Sequence, residues 1–183
     1  RWDPRPALRR LSRLVTPMAL TQTQIREYDR RAMDTEATAT ATFGTGCFWG
    51  PDARFGAVDG VVRTRVGYAG GTKRDPTYHS LGDHTEVFQV DFDPDTVTYR
   101  DLLGLVFESH TPQRQTGKTQ YQNVVFAATA DQRATLDEFL AARGLTADGI
   151  ETRIEQLSRF YLAEEYHQKY TLRSVSSFMD AFE

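Results

Sequence analysis

The chain has 183 residues, 39% hydrophobic and 26% charged, enough for one domain with an appendage and a sizeable core. Its net charge of −3 is too mild to mark a nucleic-acid binder, and no stretch stays apolar long enough to cross a bilayer as a helix. The single cysteine, Cys47, excludes a disulfide within these residues and a multi-cysteine metal site, and it fits a reducing compartment such as the cytoplasm.

Residues 1–17 hold five arginines and one acid; the reading favours an unstructured basic tail, or a true start at Met18, over a transit peptide. Thr21 and Gln24 have capping-box spacing, and Ile25, Tyr28 and Ala32 share one helical face. The expected division is therefore a tail over 1–20, an N-terminal helix over 21–36 and the main domain over 37–183. Alternation in ATATATF (37–43) predicts a strand. A GTG turn follows, then CFWGPDARFGAV predicts a helix; Pro51 is tolerated in its first turn, where its missing N–H would be unpaired anyway. GVVRTRVGYAGG and TEVFQVDFDP predict strands, the second with Phe88, Val90 and Phe92 on one face. TYRDLLGLVFESH predicts a helix that starts at Thr98 and Asp101, with Tyr99, Leu102, Leu103, Val106, Phe107 and His110 as its stripe. YQNVVFAAT predicts a strand, and ADQRATLDEFLAARG a helix with Leu136, Phe139 and Leu140 inward and Gly144 as stop signal. GIETRIEQL is read as the last strand, and FYLAEEYHQKYTLRS as mixed and partly helical. Connections between 66 and 92 are too short for parallel crossovers. The expected class is α+β, a two-layer sandwich with a mixed central sheet flanked by helices.

Cys47 lies in FGTGCFWG (43–50), between glycines and ahead of two aromatic rings. A free thiol titrates near about 8.5, and the positive end of a helix would lower that value and make the sulfur a nucleophile. Glycines on both sides let a substrate approach closely. A buried, inert cysteine is the other reading, and the residues alone leave both open. Likewise Phe48 and Trp49 form either an apolar clamp for a small alkyl group or ordinary core packing.

GCFWG (46–50), VGYAGG (66–71), PTYHSLGDHTEVFQVDFDP (76–94), TQYQNVVF (119–126) and AEEYHQKY (163–170) together resemble peptide methionine sulfoxide reductase A. The resemblance spans roughly residues 39–173 in the family's order and leaves 1–36 outside. It implies an α+β fold, ferredoxin-like in type, and reduction of the S epimer of methionine sulfoxide, free or within oxidised proteins. It implies Cys47 as nucleophile and Phe48 and Trp49 as the pocket for the substrate's S-methyl group. Glu86 matches the family's acid; beside an apolar pocket a carboxyl should titrate high and donate a proton. Tyr78 and Tyr121 match its hydroxyl donors to the developing oxyanion. The product on the enzyme is a Cys47 sulfenic acid, with no bound cofactor or metal. With one cysteine, an external thiol must resolve it: thioredoxin, glutaredoxin or a low-molecular-weight thiol. The chain is expected to act as a monomer.

Of the other candidates, His84 is expected to support the site through hydrogen bonds, His110 to pack on its helix and His79 to be exposed. Glu164, Glu165 and His167 are read as a structural hydrogen-bonding cluster near the rim. Two positions depart from the family pattern: Thr116 stands where an aspartate is usual, and Lys118 where a glycine is. The threonine brings no charge, so Thr116 is left out of the catalytic set; the lysine adds a cation expected to shift substrate preference, slow turnover or lower the Cys47 pKa further. A weakly catalytic or non-catalytic binder of oxidised methionine is the alternative function, and a peroxidase-like thiol enzyme a third.

Overall fold

Alternating threonine and alanine give the first described strand, β1 (Ala39–Thr45), in a computed structural model that describes residues 38–171. The basic tail and the helix expected over 21–36 lie outside the described residues. After a turn at Gly46, whose φ of +91° suits glycine, comes α1 (Trp49–Gly56), then β2 (Val61–Ala69) and β3 (Thr85–Phe92). Next come α2 (Tyr99–Glu108), β4 (Asn123–Ala127), α3 (Ala130–Ala141), β5 (Arg153–Gln156) and β6 (Phe160–Leu162). Three 3-10 turns punctuate the chain at Thr119–Tyr121, Ala147–Gly149 and Glu165–His167.

The strands form one sheet in the order β5-β4-β1-β3-β2-β6. β4 and β5 pair in parallel and every other pair is antiparallel, so the sheet is mixed. The short β2–β3 connection gives an antiparallel pair, as chain length requires. β5 is not the last strand: β6 follows and pairs Gly67–Ala69 of β2 with Phe160–Leu162. Three residues without a clear alternating pattern carry too little signal to be read as a strand.

One face of the sheet meets the three α-helices of the described residues. Ala41 and Phe43 of β1, and Phe88, Val90 and Phe92 of β3, pack with Phe55, Leu102, Leu103, Val106, Leu136, Phe139 and Leu140 in a single core. The predicted stripe of α2 is the buried one, and Thr98 and Asp101 close a capping box at its start. The other face is half polar: Arg65 donates to Gln89 and Asp91, Gln89 to Thr42, and Thr40 to Asp91. A small apolar cluster of Ala69, Val87, Val124 and Phe126 completes it. β3 is thus buried along both faces, which places an acid on it deep in the protein. That acid is Glu86, 1% exposed, on the helix side beside the C-terminal end of β1.

Candidate active site

β1 ends, the chain turns, and Cys47 stands just before the N-cap residue of α1, Phe48. Cys47 is exposed, so the buried, inert reading does not hold. The expected fall in its pKa does not hold either: its thiol is pushed up. Surrounding protein displaces water from the sulfur, the main cause, while the Trp49 N–H pulls down and the Glu86 carboxylate pushes up again. The helix starts two residues after Cys47, so one N–H reaches the sulfur rather than the full turn of unpaired donors.

Glu86 is held from both sides. The Phe48 N–H donates to Oε2 at 3.2 Å and Gln120 Nε2 donates to Oε1 at 2.6 Å. Burial pushes this carboxyl above the ordinary carboxylate range; the Gln120 and Phe48 hydrogen bonds and the Lys118 charge oppose it without reversing it. The expected direction for a proton-donating acid is therefore present. Of the effects expected of Lys118, a pull on the Cys47 pKa is not among the causes acting there; its charge acts on Glu86, and its ammonium lies 4.7 Å from the centre of the Tyr121 ring.

The two tyrosines meet. Tyr121, in the 3-10 turn before β4, shares a hydrogen bond with Tyr78, and this contact heads the causes that push its hydroxyl up to about 12; burial, Glu86 and Cys47 add to it. The turn is pinned to β3, where Thr85 donates to the Thr119 carbonyl at 2.9 Å and Arg153 donates to Thr85 and Gln122. Tyr78 sits in a tight turn closed by Thr77 and Ser80, and its backbone N–H donates to Glu164 Oε1 at 2.8 Å.

A strap over residues 163–171 backs the whole site. Glu164 also accepts from the Tyr68 hydroxyl at 2.7 Å; burial opposes its charge, but these two donors and nearby His167 hold it below the usual range. Tyr68 lies opposite Glu86 across the β2–β3 ladder and packs on Phe48. The Trp49 indole donates to His167 Nδ1 at 3.1 Å and stacks on Tyr170 with ring centres 3.9 Å apart. Phe48 is 1% exposed and Trp49 half-buried, so both pack and both wall the site. The strap is tied down by Gln168, whose amide accepts from the Val66 N–H and donates to the Val66 and Ala163 carbonyls. Lys169, 6% exposed, bonds Thr64 and lies 3.6 Å from the buried Asp52 carboxylate of α1.

The structure thus brings Cys47, Glu86, Tyr78, Tyr121, Phe48 and Trp49 to one locality. It adds Tyr68 and Gln120 as their supports, and Glu164 and His167, read from the sequence as part of a hydrogen-bonding cluster near the rim, support them as well. Tyr68 and Gln120 lie inside the quoted VGYAGG and TQY stretches, where their spacing marks no role. His84 accepts from the Gly71 N–H and donates to the Lys73 carbonyl, a brace for the loop before β3. His110 packs on Phe107 and bonds Val106 and Thr152, and burial lowers its pKa. His79 is exposed. Among the described residues no group of three or more His, Cys, Asp or Glu is placed to hold a metal.

Comparison with known proteins gives the family. The family model for peptide methionine sulfoxide reductase matches residues 39–181. A peptide methionine sulfoxide reductase of Drosophila melanogaster is 42% identical over 74% of this chain, a match spanning 56% of that protein. One of Methanothermobacter thermautotrophicus is 46% identical over 71% of this chain and 84% of its own length. Methionine sulfoxide reductase A of Corynebacterium diphtheriae superposes with a TM-score of 0.63 at 34% identity, covering 75% of each chain. This chain belongs to the peptide methionine sulfoxide reductase family, whose activity is the thiol-dependent reduction of oxidised methionine.

Proposed function

We propose that this chain reduces methionine-S-sulfoxide, free or in oxidised proteins, through Cys47 alone among its residues. The observation that supports this most directly is that Glu86 is bonded by the neighbours of both other groups: Phe48, next to Cys47, donates to it at 3.2 Å and Gln120, next to Tyr121, at 2.6 Å. Cys47 and Tyr121 both feel its charge.

The Cys47 thiolate attacks the sulfoxide sulfur while its methyl lies against Phe48 and Trp49. Charge builds on the sulfoxide oxygen, where Tyr78 and Tyr121 donate and Glu86 delivers a proton. In net terms thiolate, sulfoxide and one proton become cysteine sulfenic acid and methionine: two electrons pass from the Cys47 sulfur to the substrate sulfur, and the oxygen passes back. A first external thiol then forms a mixed disulfide with loss of water, and a second frees Cys47 as a disulfide leaves. Thioredoxin, glutaredoxin and small thiols are all chemically competent reductants. The βαββαβ order from β1 to β4, with its spatial order β4-β1-β3-β2, supports a ferredoxin-like reading of the fold.

The deciding experiment is a single turnover without reductant. The S epimer is expected to release one methionine per chain and to leave a dimedone-reactive Cys47; the R epimer releases none. Cys47→Ser abolishes release, and Glu86→Gln slows it by about 10²–10⁴-fold. Stoichiometric binding with no methionine released would instead identify a binder, and rapid oxidation by peroxide with no response to either epimer a peroxidase.

A further inference from the structure

A cleft of about 350 Å³ opens beside the active site, lined by Thr111, Arg114, Gln115, Thr116, Tyr121 and Asn123. Tyr121 is common to both, so whatever fills the cleft lies one ring away from the hydroxyl that faces Cys47 and Glu86. The lining contains one cation and no acid. Lys118 adds a second cation at its edge, over the Tyr121 ring. Both cations are exposed and able to swing toward a ligand. Glu151 meets this loop through its main chain, its carbonyl accepting from Gln115 at 3.0 Å.

The cleft is also braced. Gln115 Oε1 accepts from the Asn123 and Thr116 N–H groups, and Gln115 Nε2 donates to the Asn123 and Glu151 carbonyls. The Gln122 amide donates to the Thr116 carbonyl, and the Lys118 N–H donates to the Thr116 hydroxyl oxygen. The loop backbone is thereby held while the Arg114 head is exposed and the exposed Lys118 head, whose charge also acts on Glu86, lies over the Tyr121 ring. An anion with access to Arg114 can be gripped by two parallel donors, and Lys118 can close on it as a point charge.

We propose that this cleft is a subsite for a carboxylate carried by the substrate: an Asp or Glu side chain next to the oxidised methionine, or the free amino acid's own carboxylate. The proposal rests on the reductase reading above and names the class of substrate that this chain prefers. Arg114 and Lys118 hold the carboxylate, and the wall of Tyr121 fixes its distance from the sulfoxide.

Binding is read on Cys47→Ser by calorimetry, with three peptides that place Asp, Asn or Lys on either side of methionine-S-sulfoxide. The expected order is Asp over Asn over Lys, with about five- to ten-fold between the extremes at low salt, collapsing near 1 M salt where screening reaches about 3 Å. Adding Arg114→Gln and Lys118→Gln flattens the order, and Lys118→Glu shifts it toward the Lys peptide. Free methionine-S-sulfoxide and its amide separate the two sources: only use of the α-carboxylate makes the amide weaker. Equal affinities for the three peptides together with equal affinities for the free amino acid and its amide, or preferences that survive in the double variant, overturn the proposal. Turnover by the unsubstituted chain is scored separately: an intact binding order without turnover sinks the reductase reading and leaves the subsite.

Discussion

Cys47 and Glu86 titrate against each other. The carboxylate pushes the thiol up, behind burial as the leading cause, so a thiolate forms more easily once Glu86 holds its proton. Repulsion disfavours the doubly ionised pair, and the reaction proposed above draws on the singly protonated form in which Glu86 holds the proton and the sulfur is anionic. A sign follows for experiment. Alkylation of Cys47 by iodoacetamide should rise with pH to a midpoint above the ordinary thiol value of about 8.5. In Glu86→Gln that midpoint should fall, because one upward influence is gone while burial stays. An unchanged midpoint would show that Glu86 does not reach the sulfur. At this scale the residues that the fold brings together were legible in GCFWG, DHTE and the two tyrosine motifs. Gln120 and Tyr68 were not, because their role arises from a neighbour across the sheet or turn rather than along the chain.

Among the elements, the strap over 163–171 has the largest influence for its length. It supplies the partners of Trp49, Tyr68 and Tyr78, and its anchor is the Lys169 ammonium against Asp52 and Thr64. Removing one member of a buried pair leaves the other charge without compensation, typically at about 3–5 kcal/mol. Lys169→Met should therefore lower unfolding stability by about that amount in a denaturant titration, and Asp52→Asn added to it should recover part of the loss. If the single variant unfolds with the parent, the ion pair does not hold the strap. Helices and long strands were readable because their periodicity runs for eight residues or more. The course of the strap was not, since a turn fastened by side chains has no period, although Glu164 and His167 were legible as hydrogen-bonding residues near the rim. Lys169 at a φ of +54° gives no signal of that kind.

On the scale of the molecule, the sheet explains why the site lies where it does. Antiparallel neighbours bring the C-terminal end of β1 beside the N-terminal end of β3, so Cys47 and Glu86 meet although 39 positions separate them. The α+β class and the mixed sheet followed from the interleaved pattern and short connections. The spatial order of six strands did not, because pairing across long separations depends on packing that no local window contains.

Gln168 has one consequence beyond the site. β6 covers only three rungs of β2, and past them the Val66 N–H donates to the Gln168 amide, while the Val66 carbonyl accepts from Gln168 and from the Ala163 N–H. An open rung invites a second molecule to add itself, and this side chain denies that invitation. Gln168→Leu should strip the Val66 N–H of its acceptor, the carbonyl keeping the Ala163 N–H, and let the fold become its own template, with light scattering rising in concentrated samples where the parent stays clear.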